Sequence, residues 1–359
     1  MRATPQPMKG MALTIVEIPT VTGGVDTHAD VHVAAALNHI GGLLGVESFP
    51  TTPAGYGRLL AWLQSFGTVA LVGVEGTGSY GAGLTRHLTA AGVRVVEVDR
   101  SDRQERYRSG KSDPLDAESA ARAALSGKAK GAPRGRDGTV EAIRALMVVK
   151  RSARGERTRS INQARALVVT GPDDLRARFE GHRTDDLVAD LAGLRPRPGD
   201  VVGYATRVAL RELGRRAEYL GAQIDHLDSL LLPLIELQAP SLLDLYGTGP
   251  HIAAILIIAA GDHPDRLRSE AAWAHLCGAC PIPAGSGKTT GRYRLNPGGD
   301  RQANHALWRI IFTRLSSHQP TQIYVERRTK EGKSKPEIIR CLKRYVAREV
   351  YHHLLATAT

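Results

Sequence analysis

The sequence comprises 359 residues, of which 42% are hydrophobic and 23% are charged, a composition that suits two or three globular domains. Lys and Arg number 48 against 36 Asp and Glu, and the net charge of +12 indicates a polyanionic partner, with nucleic acid favoured over a membrane surface. No apolar run reaches the roughly 18–20 residues that a membrane span needs. Three cysteines and no disulfide framework indicate a reducing compartment, so we expect a cytoplasmic protein.

The first hundred residues predict a sheet with flanking helices. Residues 1–20 lack a signal-peptide core and are predicted to be a flexible tail. Residues 21–38 contain two β-branched strands, which a third strand at 43–49 extends into an antiparallel meander. The pattern then predicts a helix, a strand, a helix and a strand, at 53–66, 68–75, 79–92 and 93–99. With a further helix near Pro114, this order predicts a mixed sheet, antiparallel on one side and parallel on the other.

Four acidic residues stand at the ends of these elements. Asp26 ends the first strand, Glu75 ends the fourth, and Asp113 and Asp116 lie three residues apart on one face of the helix near Pro114. Neighbouring carboxylates repel each other unless a cation or a proton lies between them, and Mg²⁺ prefers oxygen ligands. The layout is that of the ribonuclease-H-like nuclease fold, in which metal ions clamp the two oxygens of a phosphodiester. We therefore predict a magnesium site; turn, cap and helix-start acids are the alternative for each residue alone.

A second motif overlaps this site. Residues 76–81 match the dinucleotide-binding pattern G-x-G-x-x-G between a strand and a helix, with Asp99 ending the next strand. Two features count against a dinucleotide cofactor. The Glu75 charge opposes a pyrophosphate, and the motif follows three strands when it should open the fold. A simpler interpretation is that these glycines let a phosphate approach the backbone.

The middle of the chain predicts a linker followed by long helices. Residues 127–136 form a basic stretch rich in Gly and Pro, typical of a domain boundary. Residues 139–169 and 200–237 are strongly helical and predict a helical hairpin or an antiparallel coiled-coil arm, with an ordinary bundle as the alternative. Basic residues of the first helix suit nucleic acid or a partner subunit, among them Lys150, Arg151 and Arg154.

Two segments near the C-terminus carry glycine turns. An apolar helix at 245–261 follows the turn that contains Gly247 and Gly249, which can present backbone N–H groups to a phosphate as helix-hairpin-helix DNA binders do. A plain turn before a core helix explains the pattern equally well. Further along, Gly287 does not open a phosphate-binding P-loop, because Ile282 stands where that motif requires glycine.

Ser286 is a candidate nucleophile. It lies between two glycines, and a hydroxyl so placed can attack a phosphodiester when neighbouring cations stabilise the developing charge. A simple glycine-rich loop is the alternative. The predicted nucleic-acid contacts also include basic residues near this serine and one near the acidic helix: Lys288, Arg292, Arg294, Arg301 and Lys111.

Five spaced blocks together resemble one protein family. They are GVDTHAD with Asp26, GVEGTGSYG with Glu75, KSDPLDAE with Asp113 and Asp116, and the C-terminal blocks GTGPHIAAILI and GGDRQANHALWR. With them the chain, from residue 21 to about residue 345, resembles the DEDD-type transposases of insertion-sequence family 110, relatives of the Piv DNA invertase.

The resemblance implies a fold and a reaction. It implies a RuvC-like, ribonuclease-H-like domain joined by a coiled coil to a C-terminal helical serine domain, and recombination of donor and target DNA directed by a structured bridge RNA. Mg²⁺ would be held by the four acids, and Ser286 would join covalently to DNA. It also implies a homo-oligomer, a dimer or a tetramer, in which the acids of one subunit meet the serine of another.

We accordingly expect a tail at 1–20, a RuvC-like domain at 21–136, a helical arm at 137–240 and a serine transposase domain at 241–359. The expected activity is excision and insertion of a mobile element. Three alternatives remain open: a magnesium-dependent nuclease or junction resolvase in which water attacks, a DNA-binding module without catalysis, and a dinucleotide-dependent oxidoreductase.

Overall fold

The computed structural model describes residues 19–98, 112–129, 131–133, 135, 138–261, 267–285, 287, 293–294 and 296–355. The chain divides into two compact units, Met1–Arg136 and Asp137–Thr359. The division of the chain into four parts stays a prediction. No helix within the described residues is both long and apolar enough to span a membrane.

The first unit is a mixed five-stranded sheet with three described helices, the ribonuclease-H-like arrangement that the sequence predicted. In chain order its elements are β1 (Thr20–Thr27), β2 (Val31–Asn38), β3 (Leu43–Pro50), α1 (Pro53–Ser65), β4 (Thr68–Glu75), α2 (Ala82–Ala90), β5 (Val95–Val98) and α3 (Asp113–Leu125). The strands lie in the order β3-β2-β1-β4-β5. β1, β2 and β3 pair antiparallel, whereas β4 runs parallel to both β1 and β5, so the predicted meander and the predicted parallel side are confirmed.

Glycines on two neighbouring strands let α3 lie directly on the sheet. A Cβ atom at Gly24 would stand 2.1 Å from the backbone nitrogen of Ala121, and one at Gly73 would stand 2.7 Å from the carbonyl oxygen of Ala120. The buried residues of α3 are all alanines, so this helix also presents small side chains to the sheet. Small residues on both sides bring the two backbones close together, and this contact fixes where the first turn of α3 ends up relative to β1 and β4.

In the described residues of the second unit, the regular elements are helices and one short hairpin. Its helices are α4 (Thr139–Thr170), α5 (Asp173–Phe179), α6 (Thr184–Ala192), α7 (Val201–Gln238), α8 (Ser241–Asp244), α9 (Pro250–Ala260), α10 (Glu270–Leu276), α11 (Arg301–Ser317), α12 (Gln319–Lys330) and α13 (Lys335–Leu355). The hairpin consists of β6 (Ile282–Pro283) and β7 (Tyr293–Arg294).

The two long helices α4 and α7 run antiparallel. Lys150 on α4 forms an ion pair with Asp228 on α7, and Arg157, further along α4, donates to the carbonyl oxygen of Ala217, which lies earlier on α7 (3.3 Å). Residues later on α4 therefore contact residues earlier on α7, as antiparallel helices require. The helical hairpin is present; the coiled-coil interpretation of it stays a prediction.

One apolar core joins the ends of these helices to the C-terminal helices. Ile143 and Met147 of α4, and Leu231 and Ile235 of α7, belong to the same buried cluster as most of α9 and the inner faces of α11 and α13. A separate cluster packs α5 and α6 against the other end of the hairpin. Within the apolar segment 245–261, Pro250–Ala260 forms a core helix, and the residues before it form the turn.

Candidate active site

Asp26 and Glu75 lie at the same edge of the sheet. β1 and β4 are parallel, and Val25 pairs with Val74, so the next residue on each strand is one of the two acids. Side chains alternate along a strand, which places Asp26 on the face of Gly24 and Glu75 on the face of Gly73, the face that α3 covers. The Thr27 hydroxyl donates to the Glu75 carbonyl oxygen (2.8 Å) and ties the two strand ends together.

The first turn of α3 brings two further acids to this edge. Ser112 precedes the helix with extended backbone, and Pro114 occupies its first turn, as the sequence predicted. Asp113 and Asp116 are therefore both in the first turn, where the partial positive charge of the helix end stabilises carboxylates. Because the same helix packs on Gly24, its first turn lies beside the end of β1.

Within the described residues, Asp26, His28 and Asp113 form a cluster whose oxygen and nitrogen atoms all lie within 4.8 Å of one another. His28 Nε2 lies 3.1 Å from Asp26 Oδ2 and 3.4 Å from Asp113 Oδ1. The Asp26 side chain is 10% exposed, whereas those of His28 and Asp113 are 43% and 47% exposed. A buried carboxylate thus forms the base of a site that opens to solvent.

Burial raises the pKa of the Asp26 carboxyl above its ordinary value. His28 opposes this rise, while the charges of Asp116 and Asp113 add to it. The two α3 acids are therefore close enough to Asp26 to repel its charge. The ionised form of Asp26 is consequently unfavourable in free energy. A bound cation would remove that cost.

These donors fit a hard divalent cation through their carboxylates. Mg²⁺ takes oxygen ligands and needs only a few carboxylates from the protein, which Asp26 and Asp113 can supply. His28 offers a nitrogen, a ligand that suits softer ions better, and a protonated His28 can instead bridge the two carboxylates. Sequence reasoning did not single out His28, although its position two residues after Asp26 was the available signal.

The glycine motif after β4 folds back on itself. The backbone N–H groups of Ser79 and Gly81 both donate to the carbonyl oxygen of Gly76, at 2.9 and 3.1 Å. Gly76 has a φ of +67°, which a residue with a side chain rarely adopts. Two of the amides that a pyrophosphate would need are thus engaged in the turn, which disfavours the dinucleotide interpretation.

The predicted nucleic-acid contacts fall into different environments. The Lys150 side chain is only 4% exposed and is paired with Asp228, and Arg151 is half-buried with its Nε donating to the Met147 carbonyl oxygen. Arg154 is exposed. Of these residues on α4, Arg154 is therefore accessible to nucleic acid, whereas Lys150 is not.

In the C-terminal helices, Gly249 is exposed at the start of α9 while Gly247 is half-buried beside α11. Arg294 and Arg301 are exposed and line a cleft of the second unit. Four predicted site residues lie outside the described residues: Ser286, Lys111, Lys288 and Arg292.

Comparison with protein families decides the classification. A model of the DEDD-type IS110 transposases, described as transposase, matches residues 23–170, and a model described as the transposase IS116/IS110/IS902 family matches residues 239–326. Together they match more than half of the chain. The protein belongs to the IS110 family of DEDD-type transposases. A comparison with curated proteins found no match.

Membership of the IS110 family makes this chain a DNA-transposing enzyme and makes DNA its partner. The first family match contains all four predicted acids together with His28. The second match contains the hairpin of β6 and β7 and all of α11. The IS110 resemblance that the sequence blocks suggested is confirmed.

Proposed function

We propose that this IS110 transposase excises and inserts an insertion sequence by cutting DNA with a serine nucleophile and rejoining it beside a magnesium site. The observation that carries the proposal is the cluster of Asp26, His28 and Asp113 at the edge of a ribonuclease-H-like sheet. It supports a metal centre on the fold that suits phosphodiester chemistry. Glu75 and Asp116 complete the proposed ligand set.

The acids have a common role in this proposal. Mg²⁺, when bound, would neutralise charge on the phosphate and stabilise the charge that develops on its oxygens. Asp26, the most buried of the four acids, would hold the ion from the base of the site, and the acids of α3 would hold it from the helix side. His28 can keep Asp26 and Asp113 at a fixed separation through its contacts with both.

The serine stores the energy of the broken bond. Ser286 Oγ loses its proton and forms a bond to phosphorus, the bond from phosphorus to the leaving deoxyribose oxygen breaks, and that oxygen takes up a proton and leaves as a hydroxyl. Attack by a DNA hydroxyl on the phosphoserine reverses these changes and frees the serine. The number of phosphoester bonds is unchanged throughout, so rejoining needs no ATP.

The proposal includes a guide and an assembly. A structured bridge RNA would select donor and target, and a homo-oligomer would bring the acids of one subunit to the serine of another. The net charge of +12 and the exposed Arg154 on α4 support binding of polyanions. The cytoplasmic location stays a prediction.

Excision in cells tests the proposal. The gene with its native flanks is placed on a plasmid, and PCR across the junction of the excised circle is compared for wild type, Ser286→Ala and Asp116→Ala. We expect the junction with wild type only. Asp30→Asn is the matched control for loss of an acid, because Asp30 is exposed and lies outside the cluster.

The same assay separates the second candidate function. A nuclease or junction resolvase uses water as its nucleophile, so Ser286→Ala would still cleave DNA while Asp116→Ala would not. Retention of the junction in Ser286→Ala would refute the serine mechanism and support the nuclease, which the ribonuclease-H-like sheet alone also allows.

A further inference from the structure

The second unit contains a large cleft between the β6–β7 hairpin, the first turn of α11 and one face of α13. Its volume is about 1310 Å³, above the roughly 300–1,000 Å³ of sites for small molecules. The cleft walls include Pro281 and the hairpin residues Tyr293 and Arg294 on one side, and Arg340 and Tyr345 on the other. The space is suited to a chain-like ligand more than to a small metabolite.

The charge of the cleft is of one sign. Of the described residues that line it, six are cationic and none is a carboxylate. Four of these cations have no ion-pair partner among the described residues: Arg294, Arg301, Lys335 and Arg340. Of the other two, Arg344 forms an ion pair with Glu270 (2.5 Å). An anionic ligand would supply a counter-charge to the four cations without a partner.

Hydrogen bonds hold the floor of the cleft in place, and its cation is partly shielded from solvent. Lys343 Nζ donates to Asn304 Oδ1 (2.6 Å), and the Asn304 side-chain amide donates to the Cys277 carbonyl oxygen (2.8 Å). This chain of hydrogen bonds joins α13, α11 and the end of α10. Burial lowers the pKa of Lys343, so its positive charge costs free energy there in the absence of an anion.

Two tyrosines expose their rings at the cleft. Tyr293 is 63% exposed and Tyr345 is 49% exposed, values far above those of tyrosines that serve a core. Tyr345 makes a T-shaped contact with Tyr324 (ring centroids 5.6 Å apart), and nearly half of its surface stays exposed. Exposed aromatic rings among arginines are the combination with which proteins stack unpaired bases while binding the backbone phosphates.

From the tyrosines, the uncompensated cations and the cleft size, we infer that this cleft binds a segment of unpaired, single-stranded DNA. A duplex buries its base faces in the stack and offers its phosphates and its base edges, so it would not stack on Tyr293 and Tyr345. The inference rests on the proposed function only for the choice of DNA over RNA. The strand is bound by stacking on the tyrosines, with its phosphates on Arg340, Arg294 and Arg301.

Fluorescence anisotropy with the full-length protein tests the inference. The probes are a labelled oligothymidylate, an oligouridylate of the same length and a DNA hairpin duplex. Tyr293→Ala should weaken oligothymidylate binding by about 5- to 150-fold, the usual range for one stacked base, and should leave duplex binding within about twofold. Tyr293→Phe should restore the affinity, because stacking needs the ring and not the hydroxyl.

Salt dependence provides the second readout. Arg340→Ala should lower the slope of log affinity against log salt by about 0.7 for the single strand, the value for one lost phosphate contact, whereas Tyr293→Ala should leave the slope unchanged. Arg58→Ala is the matched control, because Arg58 is exposed on α1 in the other unit. It should bind all probes as wild type does.

The outcomes are decisive. The inference is overturned if Tyr293→Ala and Arg340→Ala both behave as Arg58→Ala does, if the duplex loses as much affinity as the single strand, or if the protein binds oligouridylate and not oligothymidylate. Binding needs no catalysis, so a protein that binds the single strand through Tyr293 but gives no excision junction would refute the proposed function and leave this inference standing.

Discussion

At the scale of single residues, the candidate site depends on one buried acid. Asp26 is much less exposed than Asp113, and its pKa is raised by burial and then by the charges of Asp116 and Asp113. A buried carboxylate with like charges beside it lowers the stability of the folded unit. A bound cation would offset the repulsion between these carboxylates. Burial thus disfavours the charge of Asp26 in the same position where a metal could bind it.

We expect Asp26→Asn to raise the melting temperature of the first unit in metal-free buffer by about 4 °C, which corresponds to roughly 1 kcal/mol for a unit of this size. The substitution keeps the shape of the side chain and removes the charge that burial disfavours. Mg²⁺ should raise the melting temperature of wild type and leave that of Asp26→Asn unchanged. Differential scanning fluorimetry with and without Mg²⁺ measures both effects.

Asp30→Asn serves as the control, because Asp30 is exposed and follows the same strand. It should show the melting temperature and the Mg²⁺ response of wild type. A wild-type response to Mg²⁺ that survives in Asp26→Asn would refute the role of Asp26 as a ligand.

His251 provides a pH dependence in the second unit. Burial and, to a smaller extent, the charges of Arg154, Lys150 and Arg151 lower its pKa to about 4, although the charge of Asp228 opposes them. An unfolded chain protonates the same residue near pH 6.5. Between these values the unfolded state binds more protons, so stability falls as the pH is lowered from about 6.5 towards about 4.

We therefore expect His251→Gln to reduce the loss of unfolding free energy of the second unit on acidification, because glutamine does not titrate. Urea unfolding measured between about pH 4.5 and pH 7 tests this. His226→Gln, an exposed histidine on α7, should keep the pH dependence of wild type. Equal curves for wild type and His251→Gln would contradict the prediction.

At the scale of elements, the contact of α3 with the sheet assembles the site. The acids of α3 reach the end of β1 only because Gly24 and Gly73 let the helix backbone approach the strands. Sequence patterns identified both the strand ends and the helix start. The glycines that bring them together were not singled out, although a glycine inside a strand often marks the close approach of another backbone.

Gly24→Ala should destabilise the first unit by about 1–3 kcal/mol, since its Cβ would stand 2.3 Å from the Ala117 carbonyl oxygen and the helix would have to move. The same shift should weaken the response to Mg²⁺. Gly57→Ala is the control: its Cβ meets no atom within 4 Å on α1, and it should add up to about 1 kcal/mol of stability. Urea unfolding compares the two variants.

If Gly24→Ala instead leaves the unfolding free energy at the wild-type value, the close approach of α3 to β1 is wrong. If it destabilises the unit but keeps the full Mg²⁺ response, the acids of α3 do not depend on this contact for their position.

At the scale of the whole molecule, the chain provides the acids in one compact unit and Ser286 in the sequence of the other. A composite site, with the acids of one subunit acting on the serine of another, predicts complementation. We expect Asp116→Ala and Ser286→Ala, each inactive alone, to restore the excision junction when they are expressed together, because each supplies what the other lacks.

The control is the double variant, Asp116→Ala with Ser286→Ala, expressed with either single variant. Neither pair contains both intact halves, so no junction should appear in the PCR assay. Absence of the junction when the two single variants are combined, with both proteins present in the cell, would show that each subunit uses its own acids and serine.

The sequence by itself determined the element order and the mixed sheet of the first unit, because strand alternation and helix caps are local signals. It predicted the four acids as a metal site, and it determined the family through five spaced blocks. Only the tertiary structure decided that His28 joins Asp26 and Asp113, that Lys150 is buried against Asp228, and that Tyr293 and Arg340 line one cleft. These facts depend on contacts between residues far apart in the chain, and the packing of helices against sheet and helix sets them.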